Sequence, residues 1–329
     1  MERRRRMINL RYHIVSLVAV FMALGLGIVM GSTVIDRVTV DALNNRLDDV
    51  QRSVGTIRAE NGRLGDQVKQ GQDFAVTTRD QLLRGHLRNI PVMVVAVAGV
   101  DRRPVDELRQ ALVTAQATME GTIWFTSKMR LTSDSDVRAL AGALDLPLDR
   151  PEVVRRQALA RVASARDTAA AEASPLAALQ SAGFLTYEAP PPTTTTTSSG
   201  GVAPTSGSVP TNLAALPLAN TRYLVVSGAG AEVGDDVVAV PLVQAYAQAH
   251  GRVVAAESGV DEPIQGGRAV FVGLLRREAV TSRLSTVDNL ESPMGQTAAV
   301  LALEDLGVPR YGHYGVGRGA DRVLPVPSP

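Results

Sequence analysis

From Ile14 to Ile35 the chain runs through 22 residues without a single charge. At about 1.5 Å of rise per residue, a helix of that length crosses a hydrocarbon core of roughly 30 Å. Arg3, Arg4, Arg5, Arg6 and Arg11 lie ahead of the stretch, whereas Asp36 and Arg37 behind it nearly cancel. The excess of positive charge on one flank predicts a cytoplasmic basic tail over residues 1–13 and everything after residue 36 on the far side of the membrane. The rival reading is a cleaved signal peptide, whose apolar region usually spans about 7–15 residues and ends in a small-x-small site. Here the stretch is longer, and the candidate small residues around Gly25 and Gly27 sit in its middle. An uncleaved transmembrane helix over 14–35 is therefore expected, and no second apolar span of that length follows.

Charge and cysteine content narrow the remaining classes. The formal net charge is +1, so bulk electrostatics make no case for nucleic acid; the leading arginines suit topology and anionic headgroups instead. Cysteine is absent, which excludes disulfides, thiol catalysis and thiolate metal sites.

Small residues recur every fourth position along the anchor, at Ala19, Ala23, Gly27 and Gly31. Gly27-x-x-x-Gly31 has the spacing that lets two membrane helices approach closely, and the stripe is a candidate dimer face. Beyond the membrane, Leu47, Val54, Asn61 and Val68 fall at heptad position a, with Val50, Ile57 and Leu64 at d. A single Asn at an a position fixes register and favours two strands. The glycines at 55, 62, 65 and 71 each cost about 1 kcal/mol against alanine, so the coil is soft. A lone amphipathic helix lying against the next domain is the alternative. The heptads start from the same membrane as the small-residue stripe, which favours a parallel homodimer with a coiled-coil stalk over 36–90.

After Pro91 the pattern changes. Short apolar strands are expected at Val92–Val97, Thr122–Ser127, Tyr223–Val226, Arg252–Glu257 and Ala269–Leu274. Helices are expected at Val105–Met119, Asp134–Leu144, Pro151–Ala173 and Val240–Ala249, and from Pro293 behind a Ser292 cap, ending at Gly307 and Pro309. Apolar strands alternating with helices predict an α/β domain over 91–329, Rossmann-like, with a mostly parallel sheet. A Pro/Thr/Ser/Gly-rich segment, 189–212, interrupts it; such a composition cannot bury enough apolar surface to order itself.

The candidate chemistry is sparse. Gly228-Ala-Gly230-Ala-Glu-Val-Gly234 follows a strand, but Glu232, Asp235 and Asp236 would repel a pyrophosphate, so it reads as a turn rather than a dinucleotide loop. The four histidines, His13, His86, His250 and His313, are scattered, and the methionines are isolated; no metal site is expected. No nucleophile elbow appears, so no catalytic residues, no cofactor and no enzyme activity are expected. The densest polar constellation lies near the C-terminus. Within it Asp288, Asn289, His313 and Tyr314 have no evident capping duty and form either a buried network or a cleft for a ligand or partner.

Two stretches carry a resemblance. The opening Leu10-Arg-Tyr-His-Ile-Val-Ser-Leu-Val-Ala-Val-Phe21 with Gly25-x-Gly-x-x-Met-Gly-Ser32, and the closing Ser285-Thr-Val-Asp-Asn-Leu-Glu-Ser-Pro-Met-Gly-Gln296 through Gly312-His-Tyr-Gly315, resemble the mycobacterial copper transport protein B family. That resemblance implies an actinobacterial envelope protein, proposed in the outer membrane, that takes part in copper efflux and homeostasis. It brings no established catalytic motif. The architecture read alone allows a second function: a dimeric scaffold presenting a binding domain to a cell-wall or division partner such as a peptidoglycan hydrolase. The topology is testable by fusing a reporter that is active only outside the cytoplasm after residue 90. An active reporter on a protein that keeps its first 35 residues is expected; an inactive one would contradict the N-in orientation.

Overall fold

The computed structural model describes residues 10–165, 174–191, 213, 220–249, 251–259, 270–277, 283–308 and 310–326, with the side chains of 32–41 left aside. Much of the predicted low-complexity segment, the end of the helix expected to reach Ala173, His250 and Pro309 lie outside the described residues.

The chain divides into two compact units, Met1–Gln70 and Gly71–Pro329. One helix, α1 (Leu10–Leu83), begins in the first and ends in the second. In the first unit it holds one candidate membrane span, Leu10–Gly31, none of it buried. Gly55, Gly62 and Gly65 do not break it. Its heptad seam stands open to solvent: Leu47, Val50, Val54, Ile57, Leu64 and Val68 are all exposed. Asn61 is exposed in the same row, and a Cβ at Gly27 or Gly31 would meet nothing within 4 Å.

The second unit is a mixed α/β structure. Its elements are β1 (Pro91–Val97), α2 (Arg102–Thr114), β2 (Thr118–Phe125), α3 (Asp134–Ala143), α4 (Pro151–Ser164), α5 (Pro175–Ser181), β3 (Leu185–Glu188), β4 (Arg222–Gly228), α6 (Ala239–Ala249), β5 (Val253–Ser258), α7 (Phe271–Arg277), β6 (Ser285–Val287), α8 (Pro293–Asp305) and β7 (His313–Tyr314). The seven strands run in the order β3-β2-β1-β4-β5-β6-β7. Every neighbouring pair is parallel except β2–β3. Outward from β1 this is the doubly wound strand order, with its last left-hand strand reversed.

Side chains alternate between the two faces of a strand, so a strand buried at every position is covered on both sides. β5 is buried throughout, and β1 and β4 nearly so. Helices α2 and α8 pack together on one face, and α3 to α7 form a connected layer on the other. The end of α1 joins the core as well: Leu83, and Leu87 just beyond it, are wholly buried. The compact unit therefore begins within the segment whose composition reads as stalk.

Most predicted elements stand within a few residues of their expected positions. The expected strand over Ala269–Leu274 is a helix, α7, from Phe271 to Arg277. A short apolar run cannot by itself distinguish strand from buried helix. Here Glu257 decides it, accepting hydrogen bonds from the free N–H groups of Val270 (2.6 Å) and Val272 (3.0 Å) at the start of the helix. The helix expected to run to Met119 stops at Thr114, and β2 begins at Thr118. The Ser292 cap forms as expected, accepting from Gly295 N at 3.0 Å.

The doubly wound order leaves a crevice where β1 and β4 send their connections apart, the usual ligand position in such sheets. In this protein the chain itself closes it. Glu232 N donates to Ala98 O at 2.7 Å, laying the β4 loop across the β1 loop. Gly99 has φ +92°, and a Cβ there would press within 2.9 Å of Glu232 N. The Gly228–Gly234 segment is thus a packed turn that leads to α6 only at Ala239, and Gly99 is the residue that lets the two loops touch.

Candidate functional site

The polar constellation predicted near the C-terminus assembles at the β6–β7 edge of the sheet. Pairing sets Thr286 beside His313 and Val287 beside Tyr314. Asp288 follows directly and is buried. Its Oδ2 lies 2.9 Å from Nη1 of Arg276, carried in by the last turn of α7, and both side chains are at most 5 % exposed. Oδ1 accepts from the backbone N–H groups of Val316 (2.7 Å) and Gly317 (3.1 Å). The guanidinium spends its other donors on Thr286 Oγ1 (2.9 Å), Arg318 O (3.1 Å) and Tyr314 O (2.9 Å). Both buried charges are thus paired and hydrogen-bonded, the condition for tolerating them there. Gly315, at φ +126°, is required because any Cβ would collide with the Asp288 carboxylate.

His313 completes the network through Nδ1, 3.0 Å from Thr286 Oγ1. That hydroxyl accepts from Arg276 Nε, so its own proton is available to His313. Burial pushes the His313 pKa below the ordinary histidine value, and Arg276 adds to that while Asp321 opposes it. Tyr314 is buried, and burial raises its phenol pKa. Asn289 belongs next door. It sits in the left-handed region at φ +54°, its amide 2.8 Å from Ser292 Oγ, in the turn that launches α8.

Three of the four predicted residues, Asp288, His313 and Tyr314, therefore share one network, and Asn289 borders it. The organising residue, Arg276, escapes sequence reading. A buried carboxylate demands a cation, but a chain whose basic residues are nearly all arginine does not say which one. The network pins the 315–322 return to the sheet edge, where Tyr314 also bridges Arg322. Among the described residues no three His, Asp or Glu side chains converge as a metal centre.

A second charged group lies at the other end of α7. Glu257, at the end of β5, is 4 % exposed. Burial raises its pKa to about 7, with nearby Asp235 adding to the rise and the α7 backbone N–H bonds opposing it. Asp235 in turn accepts from Ser227 Oγ. Helix α7 is thus held by a carboxylate at each end, Glu257 on its backbone and Asp288 through Arg276.

Comparison with known proteins places this architecture. The family model described as "Copper transport outer membrane protein, MctB" matches residues 7–198 and 211–325, which takes in the apolar helix, the sheet and the Arg276–Asp288 network. The chain belongs to the MctB family. Among its relatives, copper transporter MctB of Mycobacterium tuberculosis strain H37Rv is 23 % identical over 335 residues, covering 95 % of this chain and 98 % of the relative. Copper transporter MctB of Mycobacterium leprae strain TN is 25 % identical over 338 residues, covering 96 % and 99 %. The MctB match agrees with the resemblance carried by the two ends of the sequence. These relatives bear copper transport names and lend no support to the scaffold alternative.

The geometry yields two tests. Asp288→Asn leaves Arg276 charged and buried without its counter-ion, and should lower unfolding free energy by about 3–5 kcal/mol; an Arg276→Met/Asp288→Leu double variant should recover much of that loss. Chemical denaturation of the wild type, Arg276→Met, Asp288→Leu and the double variant measures the coupling. For Glu257, an unfolded pKa near 4.5 and a folded one of about 7 mean that the native state binds the extra proton. Stability should therefore fall as pH rises from about 4.5 to 7 and be flat above that. Glu257→Gln should remove this slope, read from melts across pH.

Proposed function

We propose that this protein acts in copper export and copper homeostasis in the cell envelope, anchored by its N-terminal apolar helix with residues 1–13 in the cytoplasm and the α/β domain outside. The observation that carries this reading is the end-to-end extent of the family match, from the anchor through the last strand. Copper is cargo in this reading. The chain offers few soft donors to hold it: cysteine is absent, Met93 and Met129 are wholly buried in the core, and the Nδ1 atoms of His86 and His313 face Glu304 and Thr286. Such a donor set suits passing contact with copper, or action through a partner, better than a tight resident site.

The working form is a parallel homodimer. Its support is the open heptad seam from Leu47 to Val68, with Asn61 in the a row and the Gly27-x-x-x-Gly31 stripe on the same helix. A second copy is the occupant that pairs both rows in one register. Asn61→Val should raise the coil's melting temperature while loosening its oligomer state.

The function is tested by measuring total cell copper in a strain lacking this protein under copper load. Copper should rise several-fold and return to normal with the full chain. Unchanged copper would refute the export reading. Sedimentation of the full chain in detergent as a strict monomer at high concentration would remove the dimer and leave the export reading standing.

A further inference from the structure

Helix α7 is fastened very differently at its two ends. At its last turn Arg276 is held by Asp288 together with Thr286 Oγ1 (2.9 Å), Arg318 O (3.1 Å) and Tyr314 O (2.9 Å). At its start the free N–H groups of Val270 and Val272 meet a single side chain, Glu257, at 2.6 and 3.0 Å. A helix of seven residues does not hold its own backbone in water, so these fastenings and the burial of Phe271, Val272 and Leu275 keep it in place.

The fastening at the start is the one that titrates. Glu257 is buried at the end of β5, and among the described residues no cation pairs with it. The charge around it is negative. Ser227 stands beside it in the β4–β5 register, and that hydroxyl donates to the carboxylate of Asp235, from the turn before α6. From the turn before α8, Glu291 accepts from Gly259 N at 3.3 Å, two residues beyond Glu257. The cations of α7 are engaged elsewhere: Arg276 with Asp288, and Arg277 with Gly273 O at 3.1 Å. Burial and Asp235 push the Glu257 carboxyl up to about 7 against the pull of the helix N–H groups. An open first turn hands that carboxyl to water and to the ordinary carboxylate range. The closed form therefore holds a proton that the open form releases. Raising the pH from the ordinary range to about 7 favours opening, and a further rise adds little.

We propose that Glu257 is a proton-operated latch on α7: protonated, it holds the first turn to the end of β5, and ionised beside Asp235 it lets that turn open while the Arg276–Asp288 end stays fixed. The latch is independent of the copper reading. It differs from a general loss of stability with pH in being confined to one end of one helix. Opening uncovers Phe271 and Val272, both wholly buried, so the open form is a minor one that ionisation makes more frequent.

Hydrogen exchange of the full chain in neutral detergent, read by mass spectrometry with fragmentation to single residues, tests the latch between pH 5 and pH 8. After correction for the intrinsic acceleration of exchange with pH, the opening constant at the Val272 amide should grow by on the order of tens of fold and level off near pH 7. At pH 8 that amide should be at least about tenfold less protected than Ala255 in the middle of β5, which opens only with the whole unit. Glu257→Gln keeps an acceptor for the helix but cannot ionise, and should abolish the growth. Should that variant fail to fold, Asp235→Asn decides: the growth should then level off at a lower pH, and an unmoved end point would overturn the proposal. Equal protection of Val272 and Ala255 at every pH, or growth that survives in Glu257→Gln, would also overturn it.

Discussion

The central strands are covered by protein on both faces, and the rest of the second unit follows from that requirement. β1, β4 and β5 bury their alternating side chains in two opposite directions, so each face needs a helical layer. On one face α2 and α8 supply it, and the end of α1 adds Leu83 and Leu87 to the same core. Arg79 of α1 reaches Gln296 of α8, which donates to Glu107 of α2 at 2.9 Å. Gln296 is wholly buried, so this polar chain is fixed by the surrounding packing. Helix α1 therefore ends in turns whose residues belong to the core of the second unit.

With both faces taken, polar chemistry is confined to strand ends and edges. The usual ligand crevice is sealed by Gly99 against the β4 loop, which redirects attention from the predicted glycine turn to two other places. At one, Arg276 and Asp288 tie the short strands β6 and β7 to α7. Strands of three and two residues contribute few ladder bonds, and the buried ion pair with its backbone contacts supplies the order that pairing alone cannot. At the other, Glu257 holds the start of α7 from the end of β5.

How much of this is legible in sequence depends on length and periodicity. The apolar runs of β1, β4 and β5 read as buried parallel strands because they are short and valine-rich. The Ser292-Pro293 start of α8 is equally plain, since capping is local chemistry. The strand expected over Ala269–Leu274 is a misreading because the helix there, Phe271–Arg277, spans barely two turns, and the carboxylate that accepts its first N–H groups, Glu257, lies outside the segment. β3 and β7 leave no signal; four and two residues carry no pattern. The cluster of Asp288, His313 and Tyr314 is legible as composition, but its centre is not. Arg276 reaches it across a turn, and long-range pairing of charges leaves no mark on local sequence.

The interruption in the family match bears on how the chain is organised. The matched residues stop at 198 and resume at 211, inside the Pro/Thr/Ser/Gly-rich segment that composition marks as unable to order itself. On one side of that gap lie β1 to β3 and on the other β4 to β7, yet β1 pairs with β4 in full register from Val92–Arg222 to Ala96–Val226. The two halves thus form one sheet across this spacer. Loop closure costs grow only slowly with length, so such a spacer can lengthen or shorten with little penalty to the fold. The end of α1 has no comparable freedom: Leu83 is wholly buried, and one residue inserted into the last turn before it would rotate it out of its packing by about 100°. Helical phase is therefore the constraint on the last turns of α1, where Arg79 and Leu83 must both meet the domain.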